Sequence, residues 1–210
     1  MKAYKNIILV VALVFAAGAG GGDSSVSTFT DSRDGKTYKI VKIGRQNWFA
    51  ENLNYEAENS VCYENKAENC ARYGRLYDWN TAITACPAGT HLPTDKEWTA
   101  LTDYVGGEKI AGAKLKTTSG WYNFNGAPND VGTDDYGFSA LPGGRGSGYG
   151  FSDTGRWGRW WSATTAMSVV NISWERYIIP DYKLVGKPKC TNGISDAYNN
   201  LKISVRCVQD

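Results

Sequence analysis

Histidine, methionine and proline are all scarce in this chain: one His, two Met and six Pro in 210 residues. With His91 as the only imidazole, a metal site built on two histidines is excluded. A Ser-His-Asp or Cys-His arrangement could use that one residue alone. The five cysteines, Cys62, Cys70, Cys86, Cys190 and Cys207, include no C-x-x-C pair, which argues against zinc. The most apolar run, residues 7–17, is too short to span a bilayer. An excess of one charge is also missing. The first 19 residues carry Lys2, Lys5 and no acid, so the remaining Lys and Arg balance the 21 Asp+Glu. A neutral chain with no basic stripe lacks the electrostatic footprint of a nucleic-acid binder, and that class of partner is set aside.

Glycine and large aromatics, by contrast, are plentiful: 24 Gly, 8 Trp and 13 Tyr. That mixture points to many turns and irregular loops pinned by large side chains. Lys2 and Lys5 precede the apolar run, and Ala17-Gly18-Ala19 follows with small residues, so residues 1–19 read as a signal peptide cleaved after Ala19. Retention as an uncleaved anchor is the alternative. Export implies an extracellular or cell-surface location, or the periplasm, where cysteines pair. An odd number of them leaves at least one thiol free or available to another molecule. Residues 20–30, rich in Gly and Ser, read as a flexible tether, and a single domain occupies 31–210.

Within that domain, residues 36–43 alternate polar and apolar and predict a strand, turned by Gly44-Arg45 into a second at 46–50. The polar stretch 56–71 reads as a loop closed by a local Cys62–Cys70 disulfide. Leu76, Trp79, Ile83 and Cys86 recur at helical period and predict a first helix, ended by Pro87 and Gly89. A second opens at Thr94-Asp-Lys-Glu97, a capping box, and stops at Gly106-Gly107. Trp98, Leu101 and Val105 form its buried face. Beyond Gly120, short apolar segments at 136–141, 160–165, 169–179 and 201–208 predict strands separated by Gly-rich loops, notably 143–158. Strands, two helices, then strands indicate an α+β domain with helices packed on a small twisted antiparallel sheet.

Several motifs in fixed order resemble one family, the Fibrobacter succinogenes major paralogous domain. They are Asp31-Ser-Arg-Asp-Gly-Lys-Thr-Tyr38, Ile43-Gly44 with Asn47-Trp48, Glu51-Asn-Leu-Asn-Tyr55, Tyr73-Gly-Arg-Leu-Tyr77, Cys86-Pro-Ala-Gly-Thr-His-Leu-Pro-Thr94 with Glu97-Trp98, Tyr136-Gly-Phe-Ser-Ala-Leu-Pro142, Trp161-Ser162 and Ser204-Val-Arg-Cys207. The resemblance spans 31–210 and implies an exported bacterial domain. More distantly, the family is similar to C-type-lectin-like domains and to the formylglycine-generating-enzyme fold, the latter through Gly89-Thr-His-Leu-Pro-Thr94 with Glu97-Trp98. The C-type-lectin-like fold ties its first helix to its last strand by a disulfide. The resemblance therefore implies a Cys86–Cys207 bond, and leaves Cys190 over.

The site candidates follow from these pieces. A formylglycine-generating activity lacks that enzyme's G-N-V-W-E-W-type motif and a suitable cysteine pair, and Asp134-Asp135 are adjacent where a glycosidase needs separated carboxylates. No enzyme activity is expected. Asn129, Asp130, Asp134 and Asp135 offer hard oxygens for calcium, the one cofactor considered; Asx-turns are the competing reading. Tyr149, Arg156, Trp157, Arg159 and Trp160 form an aromatic, arginine-bearing loop of the kind that meets a sugar face or a protein hot spot. Of these, Trp160 is expected half exposed and Trp157 on a loop, whereas Trp48, Trp79, Trp98 and Trp161 are expected in the core. The resulting expectation is a non-catalytic binding module for a glycan, such as plant fibre. The alternative is a protein-interaction or structural surface component, oligomeric through Cys190.

Overall fold

A computed structural model describes residues 27–122, 132–167, 172–180, 185–186, 189–191 and 200–210. The leader expected at 1–19 and most of the tether lie outside them. Residues 27–30, expected as the end of the tether, form β1 (Ser27–Thr30), which pairs antiparallel with β2 (Thr37–Ile43), Phe29 opposite Tyr38. β2 turns back into β3 (Gln46–Phe49) with Ile43 opposite Gln46. Gly44 takes φ 62° in that two-residue turn, a left-handed conformation glycine adopts without a Cβ penalty.

The polar stretch expected as a loop contains a helix, α1 (Ala67–Tyr73), whose buried residues are only Cys70 and Tyr73. Cys62 and Cys70 are bonded across its start. β4 (Leu76–Tyr77) then takes Leu76 out of the expected first helix, which is shortened to α2 (Trp79–Ala85), capped by Asp78 accepting from the Thr81 amide at 2.9 Å. After β5 (Thr90–His91), α3 (Asp95–Tyr104) starts at the capping box as expected. The Thr94 hydroxyl accepts from the Glu97 amide at 3.2 Å and Glu97 Oε2 from the Thr94 amide at 2.8 Å. A fourth helix, α4 (Glu108–Leu115), follows the Gly106-Gly107 stop.

The second half builds a hairpin and a longer sheet. β6 (Arg145–Ser147) and β7 (Gly150–Ser152) form a hairpin inside the segment expected as loop. β8 (Gly158–Met167) and β9 (Ile172–Ile178) pair antiparallel, with β10 (Val185–Gly186) and β11 (Lys189–Thr191) both on β9. β12 (Ile203–Ser204) and β13 (Val208–Gln209) close the chain. No strand forms at 136–141, where Ala140 makes only an isolated bridge to Lys116.

One sheet runs β1-β2-β3-β13-β5 and the other β10-β9-β8-β12-β4, with one parallel contact, Ser204 opposite Trp160. The domain is thus α+β, with two curled, mainly antiparallel sheets in place of the single sheet expected. Apolar residues cover these strands from two sides. Val41, Ile43, Trp48, Trp98, Leu101, Phe138 and Trp160 form one core, while Tyr38, Ile40, Phe49, Leu53, Tyr77, Trp161 and Ile203 form the other. Neighbours in sequence therefore fall into different cores, because successive strand side chains point to opposite faces. Cys207 lies in the second core, bonded to Cys86 just after α2. In the chain-entropy model, closing that 121-residue separation stabilises by about 4–5 kcal/mol.

Between the cores sits a buried polar hub. The Asn52 side-chain oxygen accepts from Trp160 Nε1 at 2.8 Å and from Arg206 Nε and Nη2 at 3.1 and 2.8 Å. Its amide nitrogen donates to the Tyr73 carbonyl at 2.8 Å and the Ser204 hydroxyl at 3.3 Å. Arg206 also donates to the Phe49 and Phe138 carbonyls, at 3.0 and 2.6 Å. Burial pushes its guanidinium down to about 9, so it is still charged at neutral pH.

Candidate functional site

The aromatic loop is built on β6, β7 and the turn leading into β8. Gly144 takes φ 69°, and a Cβ there would stand 2.5 Å from the Ser152 carbonyl oxygen, so only glycine lets the hairpin fold this tightly. The Gly144 amide donates to the Trp157 carbonyl at 2.9 Å, and the Gly155 amide to that of Pro142 at 2.9 Å. Arg145 Nε pairs with Asp153 at 2.9 Å, and the Phe151 ring packs 5.2 Å from Tyr63. The loop is therefore tied down at its base, and residues at its tip face solvent.

The five residues expected to form the binding face separate into three groups. Tyr149, at the hairpin tip, is 75% exposed. Arg156 is exposed and stacks over the Tyr122 ring at 5.1 Å. Trp157 is half-buried and already covered: Arg159 lies over its ring at 4.2 Å and Tyr177 packs 5.0 Å away. Arg159 in turn bonds Glu175 at 2.6 Å. Trp160 corrects the expectation of half exposure. It is 1% exposed, because β8 is an inner strand whose two faces are both covered by core. Trp161, on the other face, donates to the Tyr77 carbonyl at 2.7 Å. Trp48 and Trp98 are core as expected, but Trp79 is half-buried at the edge of the second core.

Tyr122, outside the loop expected from the sequence, joins the face. Its amide donates to the Gly155 carbonyl at 2.6 Å and its side chain is 51% exposed. Its neighbour Trp121 packs against the first core, and that Trp-Tyr pair after Gly120 was the available signal. Tyr122 and Arg156 thus stand together on the pinned loop, and Tyr149 is exposed at the tip of its hairpin.

Of the calcium candidates, Asn129 and Asp130 lie outside the described residues. Asp134 (φ 48°) accepts from the Ser139 amide and hydroxyl, both at 2.7 Å, which is the Asx-type capping pattern. Asp135 is exposed. Among the described residues, no three His, Cys, Asp or Glu side chains come together as a metal site would need.

His91 is engaged on both ring nitrogens, Nδ1 with Asp210 and Nε2 with Glu97, each at 2.7 Å. Burial pulls the imidazole down, but the two carboxylates outweigh it and hold its pKa above the ordinary value. Two carboxylate partners suit an imidazolium with both nitrogens donating.

The sequence model of the Fibrobacter succinogenes major domain matches residues 41–209. The chain belongs to that family. The match covers both sheets from β2 onward, the Asn52–Arg206 hub and the aromatic loop. No curated protein and no solved structure matched.

Proposed function

We propose that this domain is an exported or cell-surface binding module without catalytic activity, that its fold is of the C-type-lectin-like kind, and that it binds a carbohydrate through the loop face of Tyr122, Tyr149 and Arg156. One observation carries the reading. Tyr122, 51% exposed, carries Arg156 over its ring on backbone bonded to Gly155, and Tyr149, 75% exposed, stands at the tip of the hairpin of the same loop. Ordered loops on a rigid scaffold are where binding residues gather, and fixed aromatic rings offer area to a sugar at low entropic cost. Two disulfides support export. The Cys86–Cys207 link between a helix and the end of the chain supports the lectin-like fold.

Binding to a panel of soluble and insoluble polysaccharides, with Tyr122→Ala and Tyr149→Ala variants, tests this reading. Retention of at least one polymer, weakened in both variants, is the expected result; failure to bind any glycan overturns it.

A second reading rests on Cys190. It is the cysteine left once the other four have paired, and its backbone lies in β11 opposite Ser173. In that reading the domain is a protein-interaction or structural component of the surface, linked through Cys190. A disulfide dimer on non-reducing electrophoresis, lost in Cys190→Ser, would favour it.

A further inference from the structure

A cleft of about 260 Å³ opens beside the aromatic loop, between the start of β2, residues 51–54 and the end of α1. Its walls include Lys36, Tyr38, Glu51, Asn54, Arg72 and Tyr73. Part of this polar lining is occupied by the protein. Lys36 Nζ is held by Asp34 at 2.7 Å and the Asn54 carbonyl at 2.8 Å, and Glu51 Oε2 accepts from the Lys39 amide at 2.7 Å. Arg72 is different. Its guanidinium lies over the Tyr73 ring at 5.0 Å and, among the described residues, makes no ion pair or hydrogen bond. Glu51 Oε1 and the Asn54 side-chain amide are likewise unengaged among the described residues. The cleft therefore offers a donor fork, an acceptor oxygen and an amide that is both.

The cleft and the loop face share a border. Arg72 Nη2 lies 3.4 Å from where a Cβ on Gly120 would stand. Two residues on, Tyr122 is bound to Gly155 and covered by Arg156. Two arginine–tyrosine stacks, Arg72 on Tyr73 and Arg156 on Tyr122, are thus joined by the short segment 120–122.

We propose that the ligand is an acidic polysaccharide: a uronate unit enters the cleft with its carboxylate on Arg72 and its hydroxyls on Glu51 and Asn54, and the chain continues over Tyr122 and Arg156. This rests on the glycan-binding reading above and names the class of glycan. A planar guanidinium fork matches a carboxylate bidentately. The Glu51 carboxylate on the same wall disfavours a doubly charged phosphate. It accepts from sugar hydroxyls instead. The volume suits one ring, not an extended segment.

The test titrates the full chain with polygalacturonate, the same polymer fully methyl-esterified, and a neutral glucan. Polygalacturonate is expected to bind best, with affinity falling as salt rises. Losing the charged bonds, by esterifying the polymer or by Arg72→Gln, is expected to weaken binding roughly 10- to 100-fold. Arg72→Lys, which keeps the charge but not the fork, is expected to fall between. Because Arg72 is exposed, an unchanged melting temperature shows that these variants are folded. Equal binding of the free and esterified polymers, or no effect of Arg72→Gln, overturns the acidic-ligand inference and leaves glycan binding standing. Failure of all three polymers, with none bound across the wider panel, overturns the glycan reading itself.

Discussion

Arg206 donates through both Nε and Nη2 to the single side-chain oxygen of Asn52, and among the described residues Glu51 and Asp134 act on it only through charge, without an ion pair. A buried cation satisfied by an amide and by carbonyls depends on every acceptor, since an unpaired polar group away from water incurs its full desolvation penalty. Asn52→Ala strips that oxygen from Arg206 and Trp160 together. A loss of about 2–4 kcal/mol in urea unfolding is expected; a change below about 1 kcal/mol would show that the hub is not a centre of stability.

The two disulfides are expected to contribute unequally. Cys86–Cys207 closes a separation of 121 residues and Cys62–Cys70 one of 8. Removing the first pair by double Ser substitution is expected to destabilise by about 4–5 kcal/mol and the second by about 2.5 kcal/mol, if chain entropy dominates. Unfolding midpoints of the two double variants, compared under oxidising conditions, check the order.

The His91 contacts carry a pH signature. With its pKa raised above 6.5 by Asp210 and Glu97, the imidazolium stabilises the fold fully below that value, and the contribution is lost as pH rises through the folded-state pKa. Burial raises Glu97, but bonds from Thr94 and His91 outweigh it and lower its pKa below 4.5, so its contribution fades as pH falls through the depressed value. The melting-temperature gap between the wild type and His91→Gln is therefore expected to be widest between about pH 4.5 and 6.5 and to shrink toward alkaline pH. A gap independent of pH would contradict the paired-imidazolium geometry.

Trp157 is expected to act on the loop's order more than on the ligand directly, because Arg159 and Tyr177 already cover its ring. Trp157→Ala should cost about 1–3 kcal/mol of stability, the sum of one aromatic pair and one cation–π contact with some burial. Thermal unfolding measures it. Unchanged stability with lost binding would instead place Trp157 in contact with the ligand.

These contacts also show how far local patterns reach. The β2–β3 hairpin was legible because alternation and Gly44 act between neighbours, and the start of α3 because a capping box is a three-residue device. α1 escaped notice because a helix that buries only Cys70 and Tyr73 shows no apolar period. α4 has Gly112 in its middle and buries only Ala111, Gly112 and Leu115, so it too gave little pattern. Leu76 fits a helical period with Trp79 but pairs as a strand with Ser204, a partner 128 positions away that no local rule can see. The burial of Trp160 follows from core on both faces of its sheet, which is a property of the assembled layers. Lys202, Ser204 and Arg206 alternate with apolar residues over 201–208, a period of two that points Arg206 outward, so the enclosure of its charge was not legible. In the candidate site, Tyr149 and Arg156 were visible as exposed loop chemistry. Tyr122 was signalled only by its pairing with Trp121 after Gly120, and Arg72 by nothing local, since chain topology brings both beside that loop.

The central claim is that the loop face binds a glycan, and calorimetric titration of polygalacturonate into the wild type and a Tyr122→Ala/Tyr149→Ala double variant tests it most directly. Saturable binding by the wild type, weakened at least about tenfold in a double variant of unchanged melting temperature, is the predicted result; the loss of two stacking contacts accounts for that size. Equal binding by both proteins would contradict the account.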